Sequence, residues 1–391
     1  MELSSLDRGH FRALIIGAGQ AGLAAAHELW RRGLVPGEDF LVLDANDGPG
    51  GAWRHRWDSL TLGSAHGIAD LPGLPMDRPD PSVPASRLVA EYYGAYEEKF
   101  GLGVVRPAHA TRVGSAGDQL AVTATGPDSP STTITTDILL NATGTWNSPH
   151  VPHVPGIETF RGRQLHTKDY TRKEDFADLR TLVIGGGLSA VQFLLELQEV
   201  TETIWATRRP PNFTSREFDA TWGLEVEQSV RERTSHGQAP ASVVRTTGIP
   251  QVERYLQGVA DGVLVSRGMF DRVTPSGVVF GSPLATTTGG VGPTAHDELQ
   301  VPESWAPYSP GTEVDVDVIF WNTGFRHSLR HLAPLKLREP GGGILMDGEV
   351  RVAKDSRVLL VGYGSTASTV GATRAGRRAG QAAVRYLEES R

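Results

Sequence analysis

The stretch "FRALIIGAGQAGLAAAHELW", residues 11–30, decides the fold of this chain. Its first six residues are mostly apolar, as expected of a short buried strand, and the apolar side chains after the glycines recur at helical spacing. Strand, glycine turn and helix in that order form the context in which G-x-G-x-x-G indicates dinucleotide binding. The sequence therefore predicts a dinucleotide-binding turn made of Gly17, Ala18, Gly19, Gln20, Ala21 and Gly22.

Each glycine of this turn has its own physical reason. Gly17 permits the tight turn, Gly19 lets the backbone approach a pyrophosphate, and Gly22 allows the helix to pack closely on the strand. The helix N-terminus adds free N–H groups and the positive end of a dipole. The next strand, "DFLVLD", ends at Asp44, at the distance where a carboxylate accepts hydrogen bonds from a ribose diol.

The same pattern returns at residues 181–200, where "TLVI" leads through "GGGLSA" into "VQFLLELQEV". Alanine is tolerated as the small third residue of this fingerprint. The candidate cofactor-binding residues of the second turn are Gly185, Gly187, Leu188, Ser189 and Ala190.

The strand end that comes after the second turn has the opposite polarity. "TIWAT" continues into Arg208 and Arg209, and no carboxylate is present there to hold a free 2′-hydroxyl. Two guanidiniums at this offset can pair with a 2′-phosphate. Alternatively, they cap an exposed strand end in an arginine-rich chain. Two sites of opposite polarity predict one nucleotide without a 2′-phosphate and one with it, a description that FAD and NADPH satisfy.

Composition limits what else the chain can be. With 391 residues, 39% of them apolar, it is long enough for two or three domains with hydrophobic cores. It contains no cysteine, which excludes a thiolate nucleophile, an iron–sulfur cluster and a protein dithiol, so redox chemistry must belong to a bound cofactor. The formal net charge of −7 argues against a nucleic-acid partner. No metal site is predicted.

No membrane partner is predicted either, because the longest apolar runs are strand-sized and fall short of the roughly 18 to 20 residues that cross a bilayer. The first ten residues lack the layout of a signal peptide, which predicts a cytoplasmic location. The oligomeric state is left open, with a homodimer as one option.

The two turns also predict the domain organisation. We expect an α/β protein with two Rossmann-like dinucleotide-binding domains, as in glutathione-reductase-like two-domain flavoproteins. The FAD-binding domain is predicted over residues 1–151 and 316–391, and the NADPH-binding domain over residues 152–315. Two similar strand ends mark the places where the chain would cross between them, and their candidate cofactor contacts are Thr143, Gly144, Thr323 and Gly324.

Other segments are less informative. A helix over residues 86–101 and an antiparallel meander are expected between the two turns. A last turn at Gly362 precedes a long helix of small residues, whose N-terminus would stabilise negative charge developing on a flavin. Segment 211–315 shows no clear period; its residues 213–222 either border a substrate pocket or belong to the core.

Together these motifs resemble those of the flavin-containing monooxygenases, the class B flavoprotein monooxygenases, and their bacterial relatives. "GAGQAG" and "GGGLSA" match the family's FAD and NADPH fingerprints, and "NATG" is similar to its ATG motif. "GPGGAWRHRWDSLTL", residues 48–62, looks like the segment after the FAD fingerprint, with Gly51, Trp53 and Arg56 as candidate cofactor contacts.

A further motif makes the resemblance more specific. "FRGRQLHTKDY", residues 160–170, fits the family's FxGxxxHxxx-aromatic fingerprint at Phe160, Gly162, His166 and Tyr170. The motif lies between the two glycine fingerprints, in the family's order. We expect His166 to position the cofactor and not to act as a general base.

The resemblance implies an NADPH-dependent FAD monooxygenase that forms a C4a-(hydro)peroxyflavin with O2 and oxygenates a nitrogen or sulfur atom of a small organic substrate. Such an intermediate decays to H2O2 if water reaches it, so the site has to exclude solvent. His66 lies where the family's amine and sulfide oxygenases often carry an Asn. It is a candidate polar group beside the flavin, with a purely structural role as the alternative.

Three other functions stay open. Baeyer–Villiger oxygenation of ketones is disfavoured because Tyr170 is followed by Thr171 and because "RWDSLTL" lacks the continuation usual in that group. An NADPH-dependent flavin reductase or oxidase would not insert oxygen and would have no use for the fingerprint at 160–170. A protein that binds FAD as a sensor, without turnover, is the third alternative.

Overall fold

The computed structural model describes residues 2–65, 68–78, 80–127, 131–216, 220–240, 248–281, 298–364 and 369–390. The chain forms two compact units. The first unit comprises residues 1–147, 224–241 and 327–391, and the second unit comprises residues 148–223 and 242–326.

The elements are numbered in chain order over the described residues. The strands are β1 (His10–Ile16), β2 (Phe40–Leu43), β3 (His109–Ala116), β4 (Gln119–Thr125), β5 (Thr132–Asn141), β6 (Arg163–His166), β7 (Thr181–Ile184), β8 (Thr203–Ala206), β9 (Phe213–Thr214), β10 (Ile249–Pro250), β11 (Phe270–Val273), β12 (Gly277–Phe280), β13 (Glu313–Asp315), β14 (Val318–Trp321), β15 (Met346–Asp347), β16 (Arg351–Val352) and β17 (Val358–Leu360). The helices are α1 (Gln20–Arg31), α2 (Ala85–Lys99), α3 (Leu188–Leu197), α4 (Ala220–Ser235), α5 (Glu253–Ala260) and α6 (Thr369–Glu389).

The sheet of the first unit has a parallel centre and antiparallel margins. Its main path runs β15-β16-β17-β5-β1-β2, and the β3–β4 hairpin pairs with the amino-terminal half of β5. Burial along β5 reflects this change of partners: alternate residues are buried where it pairs with β4, and a continuous buried run comes after them between β1 and β17. A strand covered on both faces is buried throughout, and a half-covered one alternates.

Helices α1 and α6 pack closely because the residues at their contact are small. A Cβ atom added at Gly376 would lie 2.3 Å from the carbonyl oxygen of Ala21, and one added at Gly380 would lie 2.7 Å from Cβ of Glu28. Larger side chains at these two positions would separate the helices. The small-residue composition of the last helix is therefore a packing requirement.

The second unit is organised around a parallel sheet of four strands in the order β6-β14-β7-β8. A small antiparallel sheet, β11-β12-β13, accompanies it, and β9 pairs with β10. Helix α3 comes directly after β7, so the second glycine turn has the strand–turn–helix context that the sequence predicts.

Two boundaries differ from the expected domain limits. Residues 316–326 belong to the second unit, because β14 pairs with β6 on one side and β7 on the other. Residues 224–241, which contain most of α4, belong to the first unit, where Arg231 makes an ion pair with Glu349. The first crossing lies at 147/148, close to the expected 151/152.

No helix in the described part of the chain has an apolar stretch long enough to span a membrane.

Candidate functional site

The first glycine turn is closed by steric contact at two of its glycines and open at the third. Gly17 has φ +100°, and a Cβ there would lie 2.5 Å from the carbonyl oxygen of Ala142. A Cβ on Gly22 would lie 1.8 Å from the carbonyl oxygen of Gly17. A Cβ on Gly19 would meet only Cα of Gly51, at 3.9 Å, among its described neighbours. The space over Gly19 therefore fits the close approach of a pyrophosphate.

Asp44 comes directly after β2 and is held in a network of charged side chains. Its Oδ2 accepts a hydrogen bond from Nε of Arg106 at 2.8 Å, and Nδ2 of Asn46 lies 3.3 Å from Oδ1. Arg106 also donates two hydrogen bonds to Glu97, at 2.6 and 2.7 Å. Burial lowers the pKa of Arg106, but the hydrogen bonds to Glu97 and the charge of Asp44 outweigh it, so the pKa is raised.

The first glycine of the second turn makes the same kind of contact as Gly17 does in the first turn. Gly185 has φ +142°, and a Cβ there would lie 2.2 Å from the carbonyl oxygen of Asn322, the counterpart of Ala142. The Gly185 carbonyl accepts a hydrogen bond from the indole Nε1 of Trp205 at 2.7 Å. Ala190 is fully buried at the third position of the fingerprint, and Gly187 is the N-cap of α3.

The end of β8 presents cations. Thr207 is buried, and its hydroxyl lies 2.7 Å from Oγ of Ser266, which anchors the strand end. Arg208 is exposed to solvent. Nη1 of Arg209 is buried and has no hydrogen-bond partner among the described residues. A buried guanidinium nitrogen of this kind beside an exposed arginine fits an anionic ligand, and the 2′-phosphate of NADPH is one.

The ATG segment of the first unit forms a buried hydrogen-bonded chain. Oδ1 of Asn141 lies 2.6 Å from Nε2 of His331, and its Nδ2 donates to Oγ1 of Thr143 at 3.0 Å. Thr143 in turn donates to the carbonyl of Ser328 at 2.8 Å. Burial lowers the pKa of His331 to about 4, so the ring is neutral at pH 7 and Nε2–H donates to Asn141. Gly144 has φ +61° and accepts from the Ser328 amide at 3.0 Å.

The segment after the first turn places a cation among indoles. The guanidinium carbon of Arg56 lies 4.1 Å from the ring centre of Trp146, and 5.8 and 6.0 Å from those of Trp57 and Trp53. Burial lowers the pKa of Arg56 to about 10. Arg56 remains charged near neutral pH, and no ion pair joins it to a described carboxylate.

His166 is buried at the end of β6, with both ring nitrogens occupied. Nδ1 accepts a hydrogen bond from the Lys168 amide at 3.3 Å, so the proton lies on Nε2, which donates to the carbonyl of Gly324 at 2.9 Å. Burial lowers the pKa of His166. A neutral imidazole with both nitrogens engaged cannot accept a substrate proton without breaking one of these bonds, which fits positioning.

The other fingerprint positions are packing positions. A Cβ on Gly162 would lie 2.3 Å from the Asp317 carbonyl oxygen and 2.6 Å from the ring of Phe160. Tyr170 is buried against Phe193 and Phe320 and donates to Glu196 at 2.8 Å. The motif therefore fixes β6 against β14 and α3, a packing role that its sequence pattern does not display.

The two strand ends at 143–144 and 323–324 are held differently. Thr323 donates its hydroxyl to the His150 carbonyl, and the Gly324 carbonyl accepts the His150 amide at 3.0 Å as well as His166. Gly362 has φ +82° in the turn before α6. His66 lies outside the described residues.

Sequence reasoning missed three side chains. Arg106, Glu97 and His331 are 62, 53 and 190 residues away from the motif residues that they support, counting Arg106 and Glu97 from Asp44 and His331 from Asn141. Local spacing gives no signal over such distances. In the part of the chain that is described, no cluster of His, Asp and Glu has the arrangement of a metal site.

Known proteins resemble this chain over most of its length. The sequence profile of the pyridine nucleotide-disulphide oxidoreductase family matches residues 14–256. The chain belongs to this family. Among solved structures, a flavin-containing monooxygenase from Stenotrophomonas maltophilia is 32% identical with a TM-score of 0.74, and the match covers 97% of this chain and 99% of that one. Within the family, the chain therefore groups with the flavin monooxygenases, two-domain flavoproteins that use FAD and NADPH.

Curated relatives match over shorter stretches. A Baeyer–Villiger monooxygenase of Streptomyces coelicolor is 30% identical over 63% of this chain and 46% of its own length. An indole-3-pyruvate monooxygenase of Oryza sativa subsp. japonica is 35% identical over 47% of this chain and 44% of its own length. The chain spans about half the length of these curated relatives.

Proposed function

We propose that this chain is an NADPH-dependent FAD monooxygenase that oxygenates a nitrogen or sulfur atom of a small organic substrate. The observation that carries the proposal is the pair of glycine turns with opposite polarity. The first is followed by the carboxylate of Asp44. The second is followed by Arg208 and by the buried Nη1 of Arg209, which has no hydrogen-bond partner among the described residues. One FAD and one NADPH satisfy both turns, and the membership of the chain among the flavin monooxygenases supports this pairing.

The residues that would hold FAD come from the first unit. The turn from Gly17 to Gly22 would hold the pyrophosphate, and Asp44 the adenosine ribose. Gly51, Trp53, Arg56, Thr143, Gly144 and Gly362 are proposed as further contacts. When bound, the flavin supplies the oxygen chemistry, which the family resemblance implies proceeds through a C4a-(hydro)peroxide formed with O2.

The residues that would hold NADPH come from the second unit. The turn from Gly185 to Ala190 would hold the pyrophosphate, and Arg208 and Arg209 the 2′-phosphate. His166 fixes the carbonyl of Gly324 through Nε2, and Thr323 is fixed by His150. Because His166 is neutral and doubly bonded, we assign it to holding this strand end in place, with the proton-transfer chemistry carried out elsewhere.

The oxygenated atom distinguishes the proposal from a second candidate. The similarity to the Streptomyces coelicolor enzyme favours Baeyer–Villiger oxygenation of ketones. The sequence departures at Thr171 and after Trp57 favour nitrogen or sulfur. Disulfide reduction through a protein dithiol has no residues to carry it in these 391 residues, since none is cysteine.

The test is NADPH consumption by the FAD-loaded protein against amines, sulfides and ketones, with product and H2O2 measured together. Product from amines or sulfides supports the proposal. Product from ketones alone supports the second candidate. NADPH oxidation that yields only H2O2 with every substrate, or anaerobic turnover with an electron acceptor as fast as the aerobic rate, contradicts both.

A further inference from the structure

Behind Asp44 lies an arginine that belongs to neither nucleotide fingerprint. Arg106 is nine-tenths buried: its side chain is 10% exposed, and those of its partners Asp44 and Glu97 are 7% and 13% exposed. Most surface ion pairs are solvent-exposed and contribute little. This group is shielded from solvent, and its geometry is that of a fork, with Nε on one carboxylate and both Nη atoms on the other.

The backbone holds Arg106 at this position. The Val105 amide donates to the Val42 carbonyl at 2.9 Å, and the Asp44 amide donates to the Val105 carbonyl at 3.0 Å. The Ala108 amide then donates to the Asp44 carbonyl at 2.8 Å. Residues 105–108 thus continue the sheet beside the end of β2, so the guanidinium is directed at the Asp44 carboxylate by main-chain pairing as well as by its own hydrogen bonds.

The bonds to Asp44 are unevenly distributed. Arg106 donates to Oδ2 at 2.8 Å, whereas among the described residues Oδ1 has only the long contact with Nδ2 of Asn46 at 3.3 Å, which also lies 3.4 Å from Oδ2. An ionised carboxylate can accept about four hydrogen bonds. Oδ1 therefore keeps acceptor capacity for hydroxyl groups of a ligand, while Oδ2 fixes the rotation of the carboxylate.

Glu97 fixes Arg106 in turn. Without Arg106, the hydrogen bond that fixes the rotation of the Asp44 carboxylate would be lost. A rotated Asp44 carboxylate is a poorer acceptor for a ribose diol.

We infer that Arg106, held by Glu97, is a positioning residue that keeps the Asp44 carboxylate oriented to bind the adenosine ribose of FAD. This role presupposes the proposed FAD site. Arg106 does not need to touch the cofactor; it acts through Asp44. The ligand group that Asp44 would bind is the ribose 2′-hydroxyl. An effect of Arg106 on binding of this hydroxyl can therefore be distinguished from an effect on the stability of the protein.

The test measures Kd of the apoprotein for FAD and for an FAD analogue whose adenosine ribose lacks the 2′-hydroxyl, by quenching of flavin fluorescence. Wild-type protein should prefer FAD by about tenfold or more, as expected for a hydrogen bond to a charged group. Arg106→Met should weaken FAD about tenfold and leave the analogue nearly unchanged, so the preference disappears. Arg106→Lys should restore only part of it, because an ammonium lacks the fork geometry.

The matched control is Arg357→Met. Arg357 makes a comparable forked pair with Asp355, at 2.9 Å to each oxygen, but it precedes β17 at the opposite end of the sheet from Asp44. The control should keep the preference for FAD. If Arg106→Met does not fold, Glu97→Gln takes its place, with a smaller loss of preference expected.

The failures are distinguishable. Wild-type apoprotein that binds no FAD contradicts the proposed function itself. Wild-type protein that binds FAD without preference over the analogue overturns the inference alone, as does a variant that weakens both ligands by the same factor or neither of them.

Discussion

The two glycine turns of this protein share the contact of their first glycine with a neighbouring strand end, but the strand ends that follow them differ in charge. In each turn, a positive-φ glycine faces a carbonyl of a neighbouring strand end, Ala142 in the first unit and Asn322 in the second. The strand after the first turn ends at a carboxylate that is bound by an arginine, and the strand after the second ends at two arginines. In the proposed function, the turns bind the pyrophosphates and the strand ends select between the nucleotides.

The largest difference that the comparison predicts is steric. Gly22→Ala would place Cβ 1.8 Å from the Gly17 carbonyl oxygen, a backbone atom that cannot move away cheaply. We expect a loss of about 3 kcal/mol of unfolding free energy and loss of bound FAD. The reverse change in the second unit, Ala190→Gly, should cost only about 1 kcal/mol. Chemical denaturation with the flavin spectrum checks both, and equal effects would show that the turns are not built differently.

The next effect concerns His331, a buried histidine of the first unit. His331 supports Asn141 in the first unit, and its pKa is lowered by burial to about 4 from 6.5. Between pH 6.5 and 4 the histidine binds a proton in the unfolded chain but not in the folded one. The contribution of neutral His331 to the unfolding free energy is therefore fully present above pH 6.5 and is lost as the pH falls through 4. The loss is about 3 kcal/mol at most.

His331→Gln should flatten that part of the pH profile of unfolding free energy, measured by denaturant titration at each pH. An unchanged slope in His331→Gln would mean that other groups account for the acid sensitivity.

The third effect concerns the second strand end. Arg208→Ala should raise KM for NADPH about tenfold and leave KM for NADH unchanged, because only NADPH carries the 2′-phosphate that a charged hydrogen bond would hold. Steady-state kinetics with both nucleotides checks this, with the exposed Arg161→Ala of the same unit as the control. An equal effect on both nucleotides would show that Arg208 does not read the phosphate.

The smallest effect concerns His166, a buried histidine of the second unit. His166→Ala removes the hydrogen bond to the Gly324 carbonyl. We expect NADPH oxidation to continue while less product forms and H2O2 rises by a few-fold, because the strand end loses its fixed position. Product and peroxide are measured in one reaction, with the exposed His153→Ala for comparison. Unchanged coupling would leave the histidine as a packing residue only.

The parts of the molecule that sequence predicts are those with short-range causes. The glycine turns, the strands that lead into them and the strand ends at Asp44 and Arg208 are each defined within a few dozen residues. Arg106 is 62 residues from Asp44, and the cause of its position is a main-chain pairing that no local pattern displays. The same holds for β14, which lies between β6 and β7. Its pairing places residues 316–326 in the second unit and not in the first, where they were expected.

Segment 224–241 has a practical consequence for recombining this protein with its relatives. These residues belong to the first unit, although the residues before and after them in the chain belong to the second. The ion pair of Arg231 with Glu349 binds the segment within the first unit. A chimera made by exchanging residues 148–326 as one block would therefore also replace the partner of Glu349, and Arg374 and Arg378 would be its remaining cations among the described residues. Cofactor domains of this architecture have to be exchanged at four junctions, with 224–241 kept alongside its own carboxylate.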